Sequence, residues 1–326
     1  MLSLYPFKFI PIFKDKIWGG SRVHDTLGLD YAPLLNCGEA WMVSGIQDNS
    51  SVIANGYFSE NELNEIVETF MGDLVGEKVY EKFGNEFPVL IKFIDTQDYL
   101  SIQVHPDDEL AARRHHAFGK AEMWYIIDTV PGAELICGFS QKISPEMYKQ
   151  HLINKSLPEI LNFEKVKTGD VFFIPAGRVH ALGPGILLTE IQQTSDVTYR
   201  IYDWDRTDDK GKPRTLHTDL ALDAIDFNVY DTYKIPYVEK NNQTVPLINS
   251  PHFTTGILHL KNVIAKDYSE IDSFVIYICT EGALQLVWDG GNETMKKGEV
   301  ILIPAIVKNV TLIPSIESKI LEVYIE

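Results

Sequence analysis

Residues 167–176 read KTGDVFFIPA and residues 296–305 read KKGEVILIPA, an alignment without a gap. Both run Lys, any residue, Gly, an acid, Val, two apolar residues, Ile, Pro, Ala. The glycine supplies a turn, the Val-led run a strand, and the proline a stop, so each copy reads as one turn and one strand. A unit present twice implies two copies of one β-barrel module. Many short strands with turn signals and no βαβ alternation agree, pointing to a sandwich or barrel rather than a doubly wound sheet.

The 326 residues suffice for two domains or two fused halves, and an apolar content of 45% is that of a folded globular chain. Apolar runs fall well short of the ~18 residues that a membrane span needs. Pro6, Lys8, Pro11, Lys14 and Lys16 interrupt the start, which therefore lacks the core of a signal peptide. Cys37, Cys137 and Cys279 are widely separated and form no CxxC, so neither a disulfide framework nor a thiolate zinc site is expected. The expected location is the cytoplasm. Acids outnumber bases 46 to 29, a formal charge of −17, which repels nucleic-acid phosphates. An anionic substrate would need a local positive site built against that field.

Helices punctuate the β pattern. Residues 59–84 open with Ser59 as N-cap and Glu62 three residues on, a capping-box spacing followed by helical periodicity. Residues 144–163 start with Ser144 as cap and Pro145 at the first helical position. A short helix is expected after Thr215, and a hairpin turn at 289–292. Residues 107–120 read as a polar surface loop that holds Arg113, Arg114, His115 and His116.

SIQVHPDD, at 101–108, alternates like a half-buried strand, so Ser101, Gln103 and His105 share one face while Ile102 and Val104 share the other. In GKAEMWYI, at 119–126, Lys120 and Glu122 are co-facial by the same rule. The first copy of the repeat continues GRVHALG, so that Gly169, Pro175, Gly177 and His180 follow the spacing Gly, five residues, Pro, one residue, Gly, two residues, His. That spacing resembles the second motif of the cupin family. The second copy continues IVKNVTL, with no His.

The cupin resemblance implies small jelly-roll barrels in which that His and an earlier strand pair bind a metal. His105, Glu122 and His180, with Gln103, form a mixed N/O set that suits Zn²⁺ and leaves a position open for water or substrate.

A narrower resemblance follows from IWGG at 17–20, GEAWMVS at 38–44, PVLIKFID at 88–95, SIQVHPDD, GKAEMWYI, IPAGRVHALG at 174–183 and TSDVTYRIYDWDR at 194–206. In this order they resemble type I mannose-6-phosphate isomerases in their short bacterial form. The resemblance implies a zinc-dependent aldose–ketose isomerisation of mannose 6-phosphate and fructose 6-phosphate. It implies one Zn²⁺ per chain at His105, Glu122 and His180, with Gln103 as fourth ligand, and Arg200 as the active-site arginine. Glu190 matches an acidic position of the family's cleft.

Isomerisation moves a proton between neighbouring carbons through an enediol, and negative charge grows on oxygen. A cation there stabilises the transition state selectively, and a positioned acid and base carry the proton. Zinc or Arg200 suits the first task, and either Glu190 or Lys120 suits the second. Ser101, co-facial with Gln103, is a candidate contact for the sugar phosphate. Structural readings stand beside these: Glu190 could pair with Arg200, and Trp18, Trp41 and Trp124 could be core aromatics.

The expected architecture is a bicupin, mainly β, with a catalytic metal-binding half at 1–244 and a metal-free half at 245–326. The expected partner is a small sugar phosphate, with no nucleic acid and no membrane, and the chain a monomer or homodimer. Two rival functions are a cupin dioxygenase binding Fe²⁺ and a sugar-binding cupin without catalysis.

Overall fold

In the computed structural model, which describes residues 3–207 and 210–326, the chain is mainly β, with several antiparallel sheets. A six-stranded sheet has the order Val171–Ile174, Glu122–Thr129, Ile186–Gln193, Val89–Thr96, Glu39–Val43, Ile12–Lys14. A five-stranded sheet has the order Tyr199–Tyr202, Ile102–Val104, His180–Leu182, Glu134–Phe139, Leu161–Lys165. The strands from Thr244–Asn249 to Asn309–Tyr324 make a separate seven-stranded sheet.

Alternation along the strands decides how these layers meet. Trp124, Ile126, Ile94 and Leu188 of the six-stranded sheet pack with Leu135, Cys137 and Leu182 of the five-stranded one. Between them, Met123, Tyr125, Val89, Ile91 and Phe93 turn the other way, into a cluster with Ile257, Ile276 and Leu321 of the seven-stranded sheet. Ile102 and Val104 leave the five-stranded sheet on its far side and meet Leu110, Tyr148 and Leu157. The six-stranded sheet is therefore covered on both faces.

The repeat is a structural one at its turn. Gly169 and Gly298 have φ of +88° and +86°, a left-handed conformation that favours glycine. Gly169 N–H donates to Ile126 O at 2.9 Å, and Gly298 N–H to Cys279 O at 2.9 Å. The strands that follow, Val171–Ile174 and Val300–Ile303, pair with Glu122–Thr129 and Val275–Trp288. In these registers Val275, which faces Ile303, holds the place that Glu122 holds opposite Ile174. Asn309 stands where the repeat would repeat His180.

Several local expectations change. The helical stretch expected over 59–84, as one or two helices, is three short helices, Leu63–Phe70, Gly72–Val75 and Glu77–Phe83. Its capping box is Glu62 with Glu65, not Ser59 with Glu62. The helix expected over 144–163 covers Pro145–Ile153, where Ser144 Oγ accepts from Met147 N–H at 3.2 Å. A 3₁₀ turn at Leu157–Ile160 follows, and Leu161 already belongs to a strand. The supposed loop 107–120 contains the helix Asp108–His115, capped by Asp107, whose Oδ1 accepts from Leu110 N–H at 2.8 Å. Acids in its first turn and bases in its last complement the helix dipole. The hairpin turn is the two residues Asp289 and Gly290, since Trp288 already pairs with Gly291. The short helix after Thr215 is Thr218–Leu222. Among the described residues no helix is long and apolar enough to cross a membrane.

Candidate metal centre and active-site cleft

Two rows of directly opposed residues, one on each sheet, build the site. On the six-stranded sheet Trp41 faces Lys92, Lys92 faces Glu190, and Glu190 faces Trp124. On the five-stranded sheet Arg200 faces Gln103, and Gln103 faces His180. Glu122, two residues before Trp124, and His105, two residues after Gln103, close the gap between the sheets.

His105, Glu122 and His180 are buried, and each offers a ligand atom within 4.8 Å of the others. His105 Nδ1 bonds the Val197 carbonyl at 3.0 Å and His180 Nδ1 the Arg178 carbonyl at 2.8 Å. A carbonyl only accepts, so Nδ1 carries the proton in both rings and each Nε2 is a bare lone pair. His105 Nε2 stands 3.1 Å from Glu122 Oε1, and His180 Nε2 stands 3.7 Å from Glu122 Oε2. Lone pairs thus face lone pairs. His105 Nε2 and both Glu122 oxygens lack a hydrogen-bond partner in this buried place, although an unsatisfied polar group costs about 1–3 kcal/mol and a charged one more. A cation at the common point removes the conflict, and the group fits a metal ion.

Electrostatics keep these donors in their binding forms. Burial, and then the Lys120 cation, push the His105 imidazole down to about 3. Burial also lowers His180, against the pull of Glu122. Burial works against the Glu122 charge, but the Lys120 cation beside it holds the carboxyl well below the usual carboxylate range. Both rings are neutral and the carboxylate is ionised, as metal ligands must be. Gln103 donates its amide N–H to His180 Nε2 at 3.3 Å, and a half-turn of the amide would present its oxygen instead.

The group lies beside a cleft of about 280 Å³ lined by Lys16, Glu39, Trp41, Lys92, Ser101, Gln103, Lys120, Trp124, Glu190, Arg200 and Arg214, among others. Every residue singled out from the sequence for chemistry is therefore at one place. Lys120 Nζ is 3.3 Å from Glu122 Oε1. Arg200 donates from Nε to Ser101 Oγ at 3.3 Å and from Nη1 to the Thr215 carbonyl at 3.0 Å. Glu190 pairs with Lys92 rather than with Arg200: Lys92 Nζ donates to Glu190 Oε1 at 2.9 Å, and Trp124 Nε1 donates to Oε2 at 3.0 Å. Burial, then the Glu122 charge, raise the Glu190 carboxyl above its ordinary range. Arg114 and His115 lie outside this set, bonded to Asp223 and to Tyr199 Oη.

A mannose-6-phosphate isomerase of Streptococcus mutans is 32% identical over 90% of this chain and 90% of its own length. One of Bacillus subtilis is 34% identical over 93% of this chain and 94% of its own. The chain belongs to the type I phosphomannose isomerase family. The catalytic-domain model of type I phosphomannose isomerase matches residues 6–129. The crystal structure of the mannose 6-phosphate isomerase from Bacillus subtilis superposes with a TM-score of 0.88 at 30% identity, over 99% of this chain and 100% of that one. A mutant phosphomannose isomerase from Salmonella typhimurium shares the fold, with a TM-score of 0.79 at 17% identity over 98% and 99% of the two chains. As a member of the type I phosphomannose isomerase family, the chain is an enzyme, an isomerase.

Sequence reasoning missed Lys92 and Arg214 in this phosphomannose isomerase cleft, and it read Trp41, which lines the cleft, as a core aromatic. Lys92 had a signal: it is the one basic residue in an eight-residue strand that is buried throughout. Lys92 remains charged there because Glu190, Glu39 and Glu122 outweigh the effect of its burial.

Proposed function

We propose that the chain interconverts mannose 6-phosphate and fructose 6-phosphate in the cytoplasm, with one Zn²⁺ per chain held by His105, Glu122 and His180 and with Gln103 as fourth ligand. The observation that carries this reading is the convergence of two imidazole nitrogens, that of His105 unpartnered, and an ionised carboxylate beside a cation-lined cleft in a member of this family. Two imidazoles, a carboxylate and an amide oxygen, with no thiolate, favour zinc in an open site. When bound, the ion supplies a Lewis acid that polarises the substrate oxygens.

The other tasks fall to side chains. Lys120, next to Glu122, and Glu190, held by Lys92 and Trp124, are the groups within reach to move the proton between the two carbons. Arg200, opposite Gln103 on the sheet, offers its charge to the oxygen that becomes negative as the enediol forms. Ser101 accepts from Arg200 Nε, which sets the guanidinium plane at the cleft and puts the hydroxyl beside the sugar phosphate.

In this reading the architecture is a bicupin, with the metal in the half at 1–244. The half at 245–326 has Val275 and Asn309 at the places of Glu122 and His180 and holds no ion.

A coupled assay with mannose 6-phosphate tests the function. Metal-loaded protein should form fructose 6-phosphate, stop on chelation, restart with Zn²⁺, and work equally without oxygen. Absence of product from folded, fully metallated protein would reject the reading, and a need for oxygen would favour a dioxygenase.

A further inference from the structure

Beyond Arg200, the wall of the cleft carries a second arginine, Arg214, and behind it a third, Arg206. They meet at Asp203, which is 5% exposed. Arg214 Nε donates to Asp203 Oδ2 at 2.7 Å, and its Nη2 donates to Oδ1, a two-pronged bond. Arg206 Nη2 donates to the same Oδ1 at 2.7 Å. Arg206 is fixed in turn, because its Nη1 donates to the Tyr99 carbonyl at 2.6 Å and lies 3.5 Å from Asp98 at the surface. Trp204 Nε1 donates to the Leu100 carbonyl at 2.8 Å and ties the same turn to the strand that leads into Ser101.

The other cations of the cleft are neutralised locally: Lys92 by Glu190, Lys16 by Glu39 and Lys120 by Glu122. At the arginine end, among the described residues, Arg200 bonds a hydroxyl and a carbonyl, and Arg214 shares the Asp203 carboxylate with Arg206. Three guanidinium groups and one buried carboxylate are thus grouped at that end, in a chain whose formal charge is −17. A buried carboxylate that takes the Nε edge of a guanidinium fixes the plane in which the rest of the group is offered.

We infer that Asp203 is a positioning residue for the phosphate end of the substrate: with Arg206 behind it, it holds Arg214 in the cleft wall beyond Arg200, where the Arg214 guanidinium receives the phosphate dianion. This rests on the sugar-phosphate reading above and assigns the end of the cleft that reads the phosphate. Arg200 is itself pushed down by burial and then by the Arg214 charge.

The test uses the zinc-loaded enzyme and its Asp203→Asn variant, measured for KM and kcat with mannose 6-phosphate, for affinity toward inorganic phosphate by calorimetric titration, and for metal content. Expected are a rise in KM and an equal loss of phosphate affinity of about tenfold, with kcat within about threefold and unchanged metal. The substitution also removes one negative charge. If Asp203 were only a counter-charge, phosphate would bind more tightly, so unchanged or tighter binding overturns the inference. Arg214→Lys keeps the charge but loses the fork. It should raise KM alike and add little to Asp203→Asn in the double variant, and an unchanged KM or full additivity overturns the inference. Should Asp203→Asn not fold, Arg214→Lys decides by itself. A wild-type enzyme that binds phosphate without turnover would reject the reaction and leave this inference standing, whereas one that turns over mannose 6-phosphate but binds no phosphate would do the reverse.

Discussion

Lys92 and Glu190 face one another across adjacent antiparallel strands, with Nζ 2.9 Å from Oε1 and both side chains buried. Removal of one partner strands a charge in the interior, which costs about 3–5 kcal/mol. Lys92→Met should lose that much stability in urea denaturation, and Lys92→Met combined with Glu190→Leu should lose less than the single change. A double variant weaker than the single one would contradict the pairing.

The convergence of His105, Glu122 and His180 separates metal binding from turnover. Dialysed His105→Ala and His180→Ala proteins should show almost no metal by atomic emission. Arg200→Ala should keep one ion per chain and lose about 10²–10³ in kcat. Chelation should lower the melting temperature of the wild type, since free ion at a hundred times its Kd contributes about 2.7 kcal/mol to the folded state.

Lys120, at 3.3 Å from the Glu122 carboxylate, is expected to act on the substrate and not as a ligand. Lys120→Ala should bind zinc normally and lose about 10²–10⁴ in kcat. Gln103→Ala, by contrast, should loosen the ion. Loss of metal from the Lys120 variant would assign it to the metal site instead.

The two repeat glycines differ in their surroundings. An alanine at either meets left-handed strain of about 1–2 kcal/mol. At Gly169 a Cβ would touch only Tyr237 Oη, at 3.3 Å, whereas at Gly298 it would lie 2.6 Å from the Leu27 carbonyl oxygen. Gly298→Ala should therefore destabilise more than Gly169→Ala in thermal melts. Equal losses would mean that backbone strain alone sets the cost.

What the sequence reveals here is mostly what has a short period. The parity that groups Ser101, Gln103 and His105, or Lys120 and Glu122, is visible because alternate residues of an extended chain share a face; Ser101, Gln103 and Lys120 line the cleft, and His105 and Glu122 lie together beside it. The repeat likewise carries its own turn chemistry. Register between distant strands is not written locally, which is why Glu190 was matched to Arg200 as a structural alternative while its partner is Lys92, 98 positions away. The helix Asp108–His115 escaped notice because only Leu110 and Ala111 are buried in it, too few for an apolar stripe. Its caps and charges, rather than its periodicity, were the signal.

Val89, Ile91 and Phe93 on one wall, and Ile257, Ile276 and Leu321 on the other, share a single greasy seam. A chain stopped before Thr244 would turn that seam toward water and toward its own copies. The seven-stranded sheet thus works as the permanent lining of the six-stranded one, and its loss would be felt first as clumping, before any question of catalysis arose.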